Sequence, residues 1–191
     1  VANLFMPENI QKIRMEQGRI DEAMKEILKQ MSIYLCKEDK RGYTDEYFAQ
    51  VDRLLLSMEK EANFRIQNTL TKADTYFLSY MQMRMKQCEV MKGMYVSIKA
   101  LSDVPIQATA ISNFLMEVGE SFHEKNNVRK LEEHLSTMRS TYKLSELPRS
   151  REEFESRAVL MQVMRDLGHF LDIKRKFVEG MTEEDQAKYW R

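Results

Sequence analysis

Apolar side chains recur at Ile10, Ile13, Ile20, Met24, Ile27, Leu28, Met31 and Leu35, mostly three or four positions apart. At about 3.6 residues per turn that spacing lines one face of an amphipathic helix, predicted over residues 8–36. The polar stretch KEDKRGY interrupts it, and Thr44, followed by Asp45 and Glu46, then supplies an N-cap with an acidic first turn. Negative charge there suits the positive end of a new helix dipole. From Phe48 the spacing continues through Val51, Leu55, Met58, Ala62, Ile66, Leu70, Ala73, Phe77, Met81, Cys88, Met91, Tyr95 and Ile98, with no proline and no glycine before Gly93. One very long second helix follows from that pattern, about 80 Å if unbroken at about 1.5 Å per residue. Any bend is expected at TKADT, residues 71–75, where helix propensity dips.

Pro105 disfavours helical geometry at Val104 and suits the first turn of a helix, so LSDVP closes the long helix and opens a third over residues 105–123. Ile111, Phe114, Leu115, Val118 and Phe122 form its inward face. HEKNN turns the chain into a fourth helix over residues 128–142, carrying Leu131, Leu135 and Met138. After the loop KLSELP, Ser150 stands three residues before Glu153, the spacing of a capping box in which the serine accepts from the third amide and the glutamate reaches back. A fifth helix over residues 151–179 is predicted from this start, with Phe154, Ala158, Met161, Met164, Leu167, Leu171 and Val178 as its buried stripe. TEED, from Thr182, repeats the capping signature and marks a short terminal helix. The fold class is therefore all-α: an elongated bundle of five to six helices with one very long second helix, a single domain over residues 1–191.

Six glycines and three prolines in 191 residues agree with that reading, because they leave few places to turn. Thirty basic against thirty acidic residues give a net charge of zero, with neither sign gathered into one half. This patterning offers no nucleic-acid stripe and no polybasic membrane tether. No run approaches the roughly 18 apolar residues that a spanning helix needs, so the chain as given is expected to be soluble. Cys36 and Cys88 lie within helical patterns with no secretory leader before them, and are expected as reduced thiols in a cytosolic setting.

The charged stretch LPRSREEFESRA could be a reactive site or a helix start. Arg151 to Glu155 and Glu153 to Arg157 are four apart and can pair along a helix surface, which favours the helix start. Glu120-x-x-His123 and Asp166-x-x-His169 have the spacing of di-iron ligands, but Glu120 shares its face with Asn113 and Glu117, away from the apolar stripe, and His123 falls at a turn. Helices one and two, read as apolar throughout their stripes, offer no further inward glutamates. Neither cysteine has a histidine beside it in sequence, and no Gly-rich phosphate loop occurs. In MQMRMKQCEVMKGM, residues 81–94, a two-residue step turns Met83 away from Met81 and Met85 and rules out a thioether copper site, so the methionines read as adaptable core filling, with a partner-binding or ligand-adapting surface as the alternative for some of them. Tyr76, Phe77, Tyr80 and Tyr95, with Arg65 and Arg84, could hold an aromatic carboxylate or equally form a core and its rim. No catalytic, cofactor-binding or metal-binding residue is assigned, and catalysis is not expected.

LPRSREEFESRAVLMQVMRDLGHFLDIKRKF, residues 147–177, resembles the closing motif of the C-terminal domain of the bacterial aromatic acid exporter family. In that motif a Leu-Pro precedes an R-E-E-F-E-x-R-A helix start, matched here by Pro148, Arg151, Glu152, Glu153, Phe154, Glu155 and Arg157. NLFMPEN, residues 3–9, is similar to the junction where that family's chain leaves its membrane region. The resemblance covers nearly the whole chain. It implies a cytoplasmic domain, on the inner face of the cell membrane, of a protein whose own N-terminal transmembrane region precedes Val1, and it gives the motif residues a structural role. The implied function is a non-catalytic regulatory or assembly domain, with homo-oligomers as a further partner class. A stand-alone interaction module and a sensor for small aromatic acids are the rival readings. The sensor requires a pocket lined by Met and aromatic residues and rimmed by Arg.

Overall fold

The structure is a computed structural model that describes residues 8–68 and 72–190. Among the described residues the chain forms seven α-helices and no strand. α1 (Glu8–Leu35) carries the three-and-four stripe, and Ile20, Met24, Leu28, Met31 and Leu35 are fully buried along it. α2 (Glu46–Asn68) opens beside Thr44, whose Oγ1 accepts from the Glu46 amide at 3.2 Å.

The single long second helix does not form. Its sequence divides into α2 and α3 (Lys72–Ala100), of 23 and 29 residues, about 35 and 44 Å long at the usual rise. The two lie antiparallel: Phe48 meets Tyr95 edge to face at 5.6 Å, and Asp52 pairs with Lys92 at 2.9 Å. Residues 69–71, between the helices, fall outside the described residues, and with them the first residue of TKADT; Lys72 to Thr75 already belong to α3. Packing explains the division. Folding back buries Val51, Leu55 and Met58 within the layer of α1, α2 and α3, and apolar area withdrawn from water outweighs an unbroken helical pattern.

α1 and α3 consequently run parallel, with α2 antiparallel to both. α3 is the hub of the fold, in contact with α1, α2 and α6. Met81, Met83, Arg84, Gln87 and Cys88 are all buried although they point in different directions, as befits a helix enclosed on several sides. α4 (Ala108–Glu120) lies along α1, where Ser32 and Ser112 each donate a hydroxyl to the other's carbonyl at 2.8 Å. α5 (Arg129–Lys143) follows Val128, a buried residue with φ of 59°, and packs on α6 (Arg151–Glu179). A Cβ at Gly168 would collide with the Arg139 guanidinium, which reaches across it to donate to the Met164 carbonyl at 2.7 Å. α7 (Glu183–Tyr189) is capped by Thr182, whose Oγ1 accepts from the Asp185 amide at 3.1 Å.

The expected stripe of α6 also needs correction at its start. Phe154 is 62% exposed and Ala158 is exposed; the buried face begins at Ser156 and runs through Leu160, Val163, Met164, Leu167, Phe170 and Leu171. Phe154, the apolar residue of the opening turn, remains in water. Among the described residues no helix is long and apolar enough to cross a membrane.

Candidate functional site

The parallel course of α1 and α3 sets Asp21 beside Tyr80 and Arg84. Arg84 is 1% exposed and its guanidinium is held from three sides. Nε donates to Asp21 Oδ1 at 2.8 Å, Nη2 to Tyr80 Oη at 2.6 Å and to Asp21 Oδ2 at 3.2 Å, and Nη1 to Gln87 Oε1 at 2.7 Å. The Tyr80 hydroxyl donates to Asp21 Oδ2 at 2.5 Å, and Gln87 Nε2 ties the group to α6 through the Phe170 carbonyl at 2.9 Å. The Phe122 ring lies 4.0 Å from the guanidinium carbon. Burial works against the charge on Arg84, but Tyr80 and Asp21 outweigh it and hold the group above its ordinary range. Burial likewise pushes the Tyr80 hydroxyl up.

Next to this pair α6 supplies Lys174, 2% exposed. Its Nζ donates to the Glu124 carbonyl at 2.6 Å and faces the rings of Tyr80, Phe177 and Trp190 at 5.3, 5.2 and 5.3 Å. Burial, with Arg84 close by, pulls the ammonium down to about 6, against the opposite pull of Asp21 and Glu124. The Glu124 side chain accepts from Tyr76 Oη at 2.7 Å and lies 3.6 Å from Arg14 Nη1. The cavity bounded by Arg84, Gln87, His123, Phe170 and Lys174 measures about 10 Å³, room for about one water molecule and too little for an aromatic ring.

The motif residues lie elsewhere. Ser150 Oγ accepts from the Glu153 amide at 3.1 Å, while Glu153 Oε2 accepts from the amide of Arg149 rather than Ser150, at 2.8 Å. The Arg149 amide first, and then the Arg157 guanidinium, hold Glu153 below the ordinary carboxylate range. Glu152 is also lowered, by its own amide and by Ser150. Arg151 pairs with Glu155 at 2.9 Å on the surface, and Arg157 with Glu153 at 2.5 Å. Arg157 does more than pair: its Nη1 donates to the Glu146 carbonyl, and its own carbonyl accepts from Tyr142 Oη at 2.8 Å, so it fastens the link from α5. Pro148 is half-buried in that link.

Glu120 and His123 are exposed, Glu117 pairs with His134 at 2.6 Å, and Asp166 accepts from Gln162. Among the described residues no three His, Cys, Asp or Glu side chains converge as metal ligands would. Cys36 is exposed; Cys88 is buried, and burial pushes its thiol up to about 12. The aromatic set divides: Tyr80 meets Arg84 and has Tyr76 and then Phe77 beyond it, whereas Tyr95 meets Tyr43 at 4.5 Å with planes tilted by 46°, near Phe48. The Arg65 side chain lies outside the described residues.

Asp21, Gln87, Glu124 and Lys174 escaped the sequence reading, and with them the expectation of a wholly apolar stripe on α1 fails, since Gln17 and Asp21 are buried in it. A signal was available. Asp21 follows Ile20 and Gln17 in stripe phase, Arg84 falls four residues after Tyr80, and Lys174 three after Leu171. A charged residue at a core position announces a buried partner.

The chain is 25% identical over 177 residues to "Uncharacterized protein YqjA" of Bacillus subtilis (strain 168), a match covering 93% of this chain and 55% of that protein. The chain thus spans little more than half the length of that curated relative. It also matches the solved structure described as "Crystal structure of putative membrane protein from Clostridium difficile 630", with a TM-score of 0.74 and 25% identity over 87% of this chain and 99% of that one. The family model described as "Putative aromatic acid exporter C-terminal domain" matches residues 11–175, and the chain belongs to that family.

Proposed function

We propose that this chain is a non-catalytic regulatory or assembly domain of a membrane exporter, carried on the cytoplasmic face and working with the transmembrane region of its own protein. The match of residues 11–175 to an exporter family's C-terminal domain carries the reading. Two features support it: the curated relative is nearly twice as long as the matched segment, and the buried side chains are engaged within the fold, Asp21 with Arg84 and Lys174 with a backbone carbonyl and rings. A cavity of about 10 Å³ at Arg84 gives no support to an aromatic-acid sensor in this conformation.

Cys36 is exposed and Cys88 buried, which provides a topology probe. The full-length native protein is treated with a membrane-impermeant maleimide in intact and in opened cells, and the Cys36 peptide is followed by mass spectrometry. Recovery in the membrane fraction with labelling only after opening is expected. Labelling in intact cells would refute the placement, and recovery in the soluble fraction would favour a free-standing interaction module.

A further inference from the structure

The terminal helix is attached in an unusual way. Seven residues are too few to hold a helix unaided, and within α7 only Tyr189 is buried, with Trp190 half-buried after it. Tyr189 stacks on Tyr76 with ring centres 4.0 Å apart and planes 10° from parallel, and meets Phe77 at 5.5 Å and the Arg14 guanidinium at 5.6 Å. Trp190 Nε1 donates to Tyr76 Oη at 3.3 Å while its ring covers the Lys174 ammonium. Two aromatic side chains thus dock the end of the helix, and their docking leaves Tyr189 Oη and Arg14 Nε buried without partners. Lifting α7 would hydrate both atoms, which offsets part of the lost ring contact.

From these contacts we infer that α7 is a reversible latch over Lys174, released when the lysine takes up a proton. With α7 docked, the ammonium has one carbonyl and three ring faces in place of water. The charged groups around it are Arg84 from α3, Asp21 from α1 and Glu124 from the link after α4, with exposed His123 in the same link; the α5 side presents only Val128 and Leu131. The carboxylate of Asp21 is taken by Arg84, and that of Glu124 by Tyr76 and Arg14. Raising Trp190 uncovers one ring face and brings bulk water to a charged Lys174. Docked, the amine binds its proton weakly, with a value of about 6; undocked and in water it returns toward the ordinary 10.5. Protons therefore favour the undocked state throughout the interval between those values, by at most tenfold per pH unit for one coupled proton, and the effect levels off below about 6.

Trp190 is the chain's one tryptophan, so its emission and its quenching by acrylamide report the latch directly. Between pH 9 and pH 6, quenching is expected to rise as the open fraction grows by up to tenfold per unit, with far-UV circular dichroism showing a folded bundle. Lys174→Met should hold Trp190 docked and flatten the profile, whereas His123→Gln should leave the slope intact. Tyr189→Ala, which removes the ring stacked on Tyr76, should show high quenching at every pH. A flat wild-type profile, an unchanged slope in Lys174→Met, or a wild-type slope in Tyr189→Ala would each overturn the latch.

Discussion

The start of α6 and the stretch around Lys174 both set charged side chains on one amphipathic helix, and opposite physics governs them. Arg151, Glu152 and Glu155 stand in water; their ion pairs are screened, and the Ser150 cap answers a real deficit, an amide with no helical partner. Arg84 and Asp21 stand in the core tied to each other, where an unmatched charge is costly, and Lys174 beside them is held by a backbone carbonyl and three ring faces. Charge density does not distinguish these regions, because the surface motif is the denser one. Position relative to the apolar stripe does.

The largest effect should follow from unpairing the core. Asp21→Ala leaves Arg84 buried without its carboxylate and is expected to lower stability by about 3–5 kcal/mol in urea unfolding. Lys174 should then impose a pH dependence. Its folded value, about 6, lies below the ordinary 10.5, so the unfolded chain holds the extra proton between those values. The penalty is fully present below about pH 6 and is relieved as pH rises toward 10.5, by at most roughly 1.4 kcal/mol per unit. Urea midpoints should climb from pH 6 to pH 8 in the wild type and much less in Lys174→Met. A steeper rise in the variant would contradict the assignment.

At the helix start, Ser150→Ala removes one cap and should cost about 1 kcal/mol, with binding and membrane association unchanged. Arg151→Ala breaks an exposed pair and should cost no more than about 0.3 kcal/mol, vanishing in high salt. If Arg151→Ala rivalled Asp21→Ala, the distinction between the two regions would fail.

Much of this was legible along the chain. The cap at Ser150, the cap at Thr182 and the extent of α1 rest on local chemistry, and local chemistry is written in adjacent residues. The division of the second helix is not local. Residues 46–100 keep helical spacing without interruption, and only the burial of Val51 and Leu55 beside α1 and α3 explains why the chain folds back. Phe154 failed for a related reason, since spacing marks a face but not where a neighbour begins to cover it. The core charges were half legible. Asp21, Arg84 and Lys174 each occupy a stripe position, yet the pairing of the first two depends on the parallel course of α1 and α3, and the approach of Lys174 on α6 running antiparallel to α3, none of which a single helix pattern contains.

A double-mutant cycle on Asp21 and Arg84, read by urea unfolding at neutral pH, tests most directly whether a buried charge cluster unites these helices. Asp21→Asn and Arg84→Met should each be strongly destabilising, and together they should cost less than their sum by roughly 2–3 kcal/mol. Losses that simply add would show two independent side chains and contradict the account.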